Sequence, residues 1–535
     1  MKQKIDNAKK TNDVDIPNTI LDMFAIENPA ASVDFIKTEG KKHETTREFP
    51  LPFHVESFPT DFVEMHCLLN SMYVKDTELL PYYQIFHELF SLPMKSSDGS
   101  ILSYEQVISQ LKDETLETKV TLGLSGACPD LIDIMIKCRA KDYAKAVEWF
   151  NHVLFDMIFD ESRIKVLLEN YLDSIVELKR DGPMMLESIT NRNLYSERSL
   201  KKSIDPLYAE SILEDVLEDI EKGNFESNIL PRLETMRSQL RTHFTKFRIL
   251  VLGDVSKIVS SGGLYEPWNG LLKNMEKDNA EFGDHKIPPA PRPLHFVSDI
   301  CSKPSGQVFI ITTPASESSF MNVVTKVPFD LDYHHPDYAK VCLASEYLQC
   351  VEGPFWKGIR GAGLAYGAYM LKLPEINSWG FSIYRGADIV GCYKAGKEIV
   401  TSYAKGKTKF ENRLISGALS SIINSLASME DNYFNAGLMD YVDNELYNRG
   451  PHFKDIFLER LGQVSAAQLE EMMSKYLVNI FQPQHSTIFL SCHPSKLEST
   501  QEYFENEGFN VNVEELEEDV DDSDYESDDS DVSMK

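Results

Sequence analysis

Short apolar runs and longer amphipathic ones alternate along this chain, and the series runs twice. Each round opens with an extended apolar stretch, Phe62-Val-Glu-Met-His-Cys-Leu-Leu69 and Val308-Phe-Ile-Ile311. A helix follows in each, over Leu79–Phe90 and Asp337–Val351. Two short strands come next: Lys119–Leu124 with Leu131–Ile136, and Leu364–Leu371 with Trp379–Tyr384. Then comes Arg139-Ala-Lys-Asp142 and, 246 positions later, Arg385-Gly-Ala-Asp388. Both lead into amphipathic helices, Tyr143–Ile158 and Ile389–Tyr403, and after further helices the rounds close on strands Arg248–Gly253 and Ser486–Ser491. The spacings are those of strands with period two and helices with period 3.6. An order repeated at one separation indicates duplication. At that separation the alternation in Leu131–Ile136 and Trp379–Tyr384 is one residue out of phase, which requires an indel or a bulge.

Strand pairs followed by sequential helices predict an α+β fold. It consists of two duplicated domains, each a mostly antiparallel sheet with helices packed on one face, together forming a half-shell. The proline cluster Ile287–Pro293 blocks helix and central strand and marks the boundary. The expected organisation is a linker or helix end over 1–46, domains over 47–285 and 286–510, and an acidic tail over 511–535.

Composition refines this picture. The chain has 535 residues, 42% apolar and 10% aromatic, as in globular proteins, and a formal charge of −30. Twelve of the eighteen residues from Glu514 to Asp531 are acidic, so a disordered tail is expected. Ser523, Ser527 and Ser530 lie among those carboxylates and resemble acidic-directed kinase sites. No basic stripe suits nucleic acid, and no stretch is long and apolar enough to span a bilayer. The Lys-rich N-terminus lacks Arg, unlike a mitochondrial presequence. Eight cysteines without a C-x-x-C pair read as reduced core thiols of a cytoplasmic protein.

The candidate chemistry centres on Trp356-Lys-Gly-Ile-Arg-Gly-Ala-Gly-Leu-Ala-Tyr-Gly367. Arg360 offers a fork of N–H donors and Tyr366 a phenolic O–H, set around a glycine-rich turn. Such groups can grip the carbonyls of a bound polypeptide and stabilise charge on one of them. The glycines miss phosphate-loop spacing, and a helix runs into a strand here rather than the reverse, so nucleotide binding is discounted. A tight turn with a buried Tyr and a surface Arg is the plainer alternative. His334-His335 invites a metal reading, but before Pro336 it fits a surface turn better. The pattern H-x-x-E-H does not occur. Laid on Tyr83–His87, it meets Tyr83 and Phe86 in place of its first His and its Glu, leaving His87 as a packed or capping residue. No Ser-His-Asp grouping or G-x-S-x-G elbow is present.

Arg360-Gly-Ala-Gly-Leu-Ala-Tyr-Gly367, the lead Pro288–Pro293, Phe53–Phe62 and Leu80–Phe90 resemble the C-terminal half of pitrilysin-type (inverzincin) zinc metallopeptidases, the group of insulin-degrading enzyme and presequence protease. The closest likeness is to its cytosolic fungal and eukaryotic branch. Asn12–Pro17 is similar to the hinge between the halves of those enzymes. The resemblance implies four related domains in two bowl-shaped halves around a peptide chamber, with the N-terminal half holding zinc. It implies that Arg360 binds a substrate carbonyl and that Tyr366 stabilises the oxyanion in trans. The chain itself would hold no metal or cofactor and would be inactive alone. Its partners would be a zinc-bearing N-terminal half and unfolded peptides, with no nucleic acid or membrane. Two rivals stand beside this: a catalytically dead scaffold subunit of a larger complex, and an interaction protein acting through its acidic tail.

Overall fold

The computed structural model describes residues 35–43, 51–96, 98–241, 247–277, 290–329 and 334–516, with positions 3, 4, 7, 10, 11, 33 and 49. The hinge-like Asn12–Pro17, the start of the proline cluster, and Ser523, Ser527 and Ser530 with the acidic segment from 517 onward lie outside the described residues.

Twelve strands make two six-stranded sheets. The first holds β1 (Glu39–His43), β2 (Phe53–Ser57), β3 (Phe62–Asn70), β4 (Glu117–Leu124), β5 (Ala127–Arg139) and β6 (Arg248–Gly253), in the order β4-β5-β3-β6-β2-β1. The second holds β7 (Gln307–Thr312), β8 (Ser319–Lys326), β9 (Ala365–Leu373), β10 (Ser378–Gly386), β11 (Ser486–Cys492) and β12 (Asn510–Glu515), in the order β9-β10-β8-β11-β7-β12. Five strands repeat in the same order, β2–β6 matching β7–β11, as a duplication demands. Most neighbours are antiparallel; β2 with β6, β11 with β7, and β7 with β12 are parallel.

The sixth strands correct the expected boundaries. Glu39–His43, placed in the linker, pairs with β2, and residues 511–515, placed in the tail, pair with β7. Both are polar edge strands held by main-chain hydrogen bonds, which leave little trace in hydropathy. The first-round helix at Leu79–Phe90 is also corrected. It breaks into short turns at Thr77–Tyr82, Tyr83–Phe86 and Leu89–Ser91, with Pro81 inside the first.

The out-of-phase repeat has its bulge. Ile132, Ile134 and Ile136 enter one core and Trp379, Phe381 and Ile383 the other, 247 positions apart. The pairing of β8 with β10 shifts register between Ser319 and Met321, beside Arg385 at φ 52°.

The helices that matter below are α1 (Tyr143–Asn151), α2 (Gly182–Leu194), α3 (Tyr338–Gln349), α4 (Ile389–Ala404) and α5 (Tyr433–Tyr441). Helices α1, α3 and α4 pack with their own domain's sheet and form its main core. Helices α2 and α5 cross over. From the first domain, α2 sets Met185, Leu186 and Ile189 against Ile311, Phe320 and Phe489 on the other face of the second sheet. From the second domain, α5 and the π-helical turn after it set Tyr441, Val442 and Leu446 against Leu68, Leu250 and Leu252 of the first sheet. Each crossing helix starts on a side-chain cap. Asp181 accepts from the Met184 N–H at 2.9 Å, and Asn432 from the Asn435 N–H at 3.0 Å. Each side chain so buried contributes about 1.5–3 kcal/mol, so the two domains complete each other.

Candidate functional site

The glycine-rich stretch forms a π-helical turn, Trp356–Arg360, that runs into β9. Phe355 and Ile359 are fully buried and pin the turn in the second core. Gly358 lies against Ile399 of α4, where a β-carbon would come within 2.7 Å of its Cδ1. The turn closes with the Gly361 N–H on the Trp356 carbonyl at 2.7 Å and the Leu364 N–H on the Ile359 carbonyl at 3.0 Å. Gly363 takes φ 75°, which favours glycine.

This anchoring leaves the Arg360 side chain outside. The Arg360 guanidinium stacks 4.0 Å above the Trp356 ring and 4.7 Å above the Tyr366 ring. Among the described residues no carboxylate or carbonyl takes its N–H groups, so the fork is free to donate. Tyr366 is 57% exposed, which overturns the alternative of a buried tyrosine. Its ring lies 6.3 Å from that of Tyr384, which meets Phe320 at 5.5 Å. Arg385 sits 5.4 Å above Tyr384. The structure thus brings Arg360 and Tyr366 together and adds Trp356, Tyr384 and Arg385 around them. Sequence reading missed Tyr384 and Arg385 as site residues; Arg385-Gly-Ala-Asp388 had served only to mark the repeat.

Strand β9 is an edge strand, paired on one side with β10. On the open side the Met370 N–H is taken by the Gln349 side chain at 2.7 Å. Among the described residues no strand pairs with the first residues of β9 on that side, beside Arg360, so an extended chain could add its main chain to the sheet there.

The other candidates resolve differently. His335 Nδ1 accepts from the Asp337 N–H at 3.2 Å at the start of α3, and its ring packs on Phe329, while His334 is exposed. Tyr83 and Phe86 are buried in the first core. His87 is exposed at the C-terminal cap of its short helix, with its Nδ1 3.4 Å from Glu88 and its ring 6.2 Å from that of Tyr83. A buried phenol and a phenyl ring are not a zinc donor set, and that segment does not fit the metal. Among the described residues no group of three or more His, Cys, Asp or Glu side chains is arranged to hold a metal ion, and no helix is long and apolar enough to cross a membrane. All eight cysteines are free, seven of them buried, and burial holds their thiols protonated.

A second polar cluster lies on the α5 side of the first sheet. His66 Nδ1 meets Asp133 at 2.9 Å and Nε2 meets Glu64 at 3.2 Å, while Lys137 reaches Glu64 at 2.8 Å and lies 4.2 Å above Phe434 of α5. Burial opposes charge on His66, but Asp133 and Glu64 outweigh it and raise its pKa to about 9. Burial likewise opposes charge on Glu64, yet His66 and Lys137 lower it to about 2. Asp133 is raised by burial, partly offset by His66.

No family model matches the chain. It is 54% identical over 552 residues to an uncharacterized protein of Saccharomyces cerevisiae, covering 99% of this chain and 53% of that protein. It is 25% identical over 548 residues to an uncharacterized protein of Schizosaccharomyces pombe, covering 96% and 51%. The chain therefore spans about half the length of the curated relatives it matches. Among solved structures, a peptidase M16 inactive domain from Pseudomonas fluorescens aligns with TM-score 0.59 at 14% identity, over 86% of this chain and 98% of that one. A protease from Helicobacter pylori aligns with TM-score 0.57 at 13% identity, over 85% and 100%. These likenesses establish the fold: the chain is built like the inactive domain of an M16 peptidase.

Proposed function

We propose that this chain is the non-catalytic, substrate-binding half of a pitrilysin-type zinc metalloendopeptidase. It acts in cytoplasmic peptide degradation with a zinc-bearing N-terminal half. The observation that carries this reading is the Arg360 guanidinium, stacked between Trp356 and Tyr366 with its donors unpaired beside an open edge strand. The inactive-domain fold and the greater length of the relatives support it. The extended substrate adds its main chain along β9, and Arg360 donates to a substrate carbonyl in a fork. Tyr366 donates its O–H to the oxygen that gains charge as the peptide bond is attacked. The partner half supplies the metal that activates water. The test is turnover of an unfolded peptide by this chain mixed with a half bearing H-x-x-E-H. Arg360→Ala and Tyr366→Phe should each lower kcat/KM by about 100-fold. Unchanged turnover with lost assembly would make the chain a scaffold instead.

A further inference from the structure

The corner around Arg360 holds exposed positive charge in a strongly acidic protein. Lys357, Arg360 and Arg385 are all exposed, and none has a carboxylate partner among the described residues. The rings of Trp356 and Tyr366 lie against Arg360, and that of Tyr384 against Arg385. Residues 517–535, by contrast, contain ten Asp or Glu, one Lys and one Tyr.

Register brings the two close. Glu515, which ends β12, lies beside Thr312, and Thr312 beside Cys492. Next to Cys492, Ser491 faces Phe320, and next to Phe320, Ser319 faces Gly386, which pairs with Ala365. The acidic segment therefore leaves the second sheet at the same end as Arg360 and Tyr366. Five strand spacings separate β12 from β9, about 24 Å. Nineteen residues reach on the order of 60 Å when extended.

We propose that the acidic segment 517–535 docks in cis on the corner of Lys357, Arg360, Tyr366, Tyr384 and Arg385 and competes there with extended peptides. This rests on the reading of that corner as a peptide grip and adds its regulation. The carboxylates take the free guanidinium forks, and Tyr525 is of a type to join the aromatic group. Phosphate on Ser523, Ser527 or Ser530 strengthens the docking by adding charge.

The test uses two full-length proteins, the native chain and one with the ten acidic residues of 517–535 changed to Asn or Gln. The probes are a fluorescent synthetic 517–535 peptide and a fluorescent neutral unfolded peptide, followed by anisotropy. The neutralised chain should bind the acidic probe about 10-fold more tightly than the native chain, because the native corner is occupied at high effective concentration. Arg360→Ala with Arg385→Ala in the neutralised chain should abolish that binding, and added salt should weaken it. Equal binding by both chains overturns the proposal. So does binding that survives the double substitution, or an occlusion that grows with protein concentration, which would place the segment on a second copy. The neutral probe reads the grip separately. If it fails to bind the neutralised chain while the acidic probe binds, the grip is wrong and the docking stands.

Discussion

Gly182, the first residue of α2, lies so close to the Phe320 ring that a β-carbon there would collide with the ring edge. Phe320 in turn carries Tyr384, and Tyr384 neighbours Tyr366. A helix of the first domain thus backs the aromatic group around Arg360. Gly182→Ala should push Phe320 aside and weaken binding of an extended peptide by about 3- to 10-fold, at a stability cost of about 1–3 kcal/mol. Peptide anisotropy and a denaturant melt check both. Unchanged affinity in a destabilised variant would confine Gly182 to packing.

The face of Trp356 holds the Arg360 guanidinium, 4.0 Å above the ring. Trp356→Leu should remove about 1 kcal/mol of cation–π stacking and lower peptide affinity about 5-fold. The melting temperature should stay nearly constant, because Trp356 is only half-buried. If Arg360→Ala in the Trp356→Leu background costs as much as in the native chain, Trp356 does not position Arg360.

The His66 cluster makes stability depend on alkaline pH. The folded-state pKa, about 9, lies above the usual 6.5. The contribution is therefore complete below about pH 6.5 and is lost as pH rises through 9. His66→Gln should cost about 3 kcal/mol near pH 6 and progressively less toward pH 10. Denaturant melts of both proteins across that range measure the difference. A gap independent of pH would show that His66 is buried uncharged.

The crossing helices predict joint unfolding. Ile189→Ala, in α2, should destabilise the chain by about 2–4 kcal/mol. Fluorescence of Trp149 and Trp268 in the first core and of Trp379 in the second, read in single-Trp variants, should give coincident midpoints. Separate midpoints, with only the second core shifted, would make the domains independent.

Much of the architecture was legible because the duplicated strands are apolar and well delimited. Arg248–Gly253 forms β6 with those bounds, and the one-residue phase error pointed to the bulge beside Arg385. Glu39–His43 was missed because edge strands of Lys and Gly bond through the main chain alone. Pro81 broke a helix that periodicity had joined. At the site, Arg360 and Tyr366 stood close in sequence, whereas Tyr384 comes to them only through the pairing of Gly367 with Tyr384 across β9 and β10. The partner of a crossing helix cannot be read from its own periodicity, since an apolar stripe does not name the surface it covers.

The exchange of α2 and α5 also bears on how the chain is made. A ribosome that has finished the first sheet has not yet produced Tyr441 or Leu446. One apolar surface of that sheet, with Leu68, Leu250 and Leu252, stays bare until nearly two hundred further residues have emerged. Nascent chains stalled before residue 430 should therefore be captured by chaperones, and release should coincide with synthesis of α5.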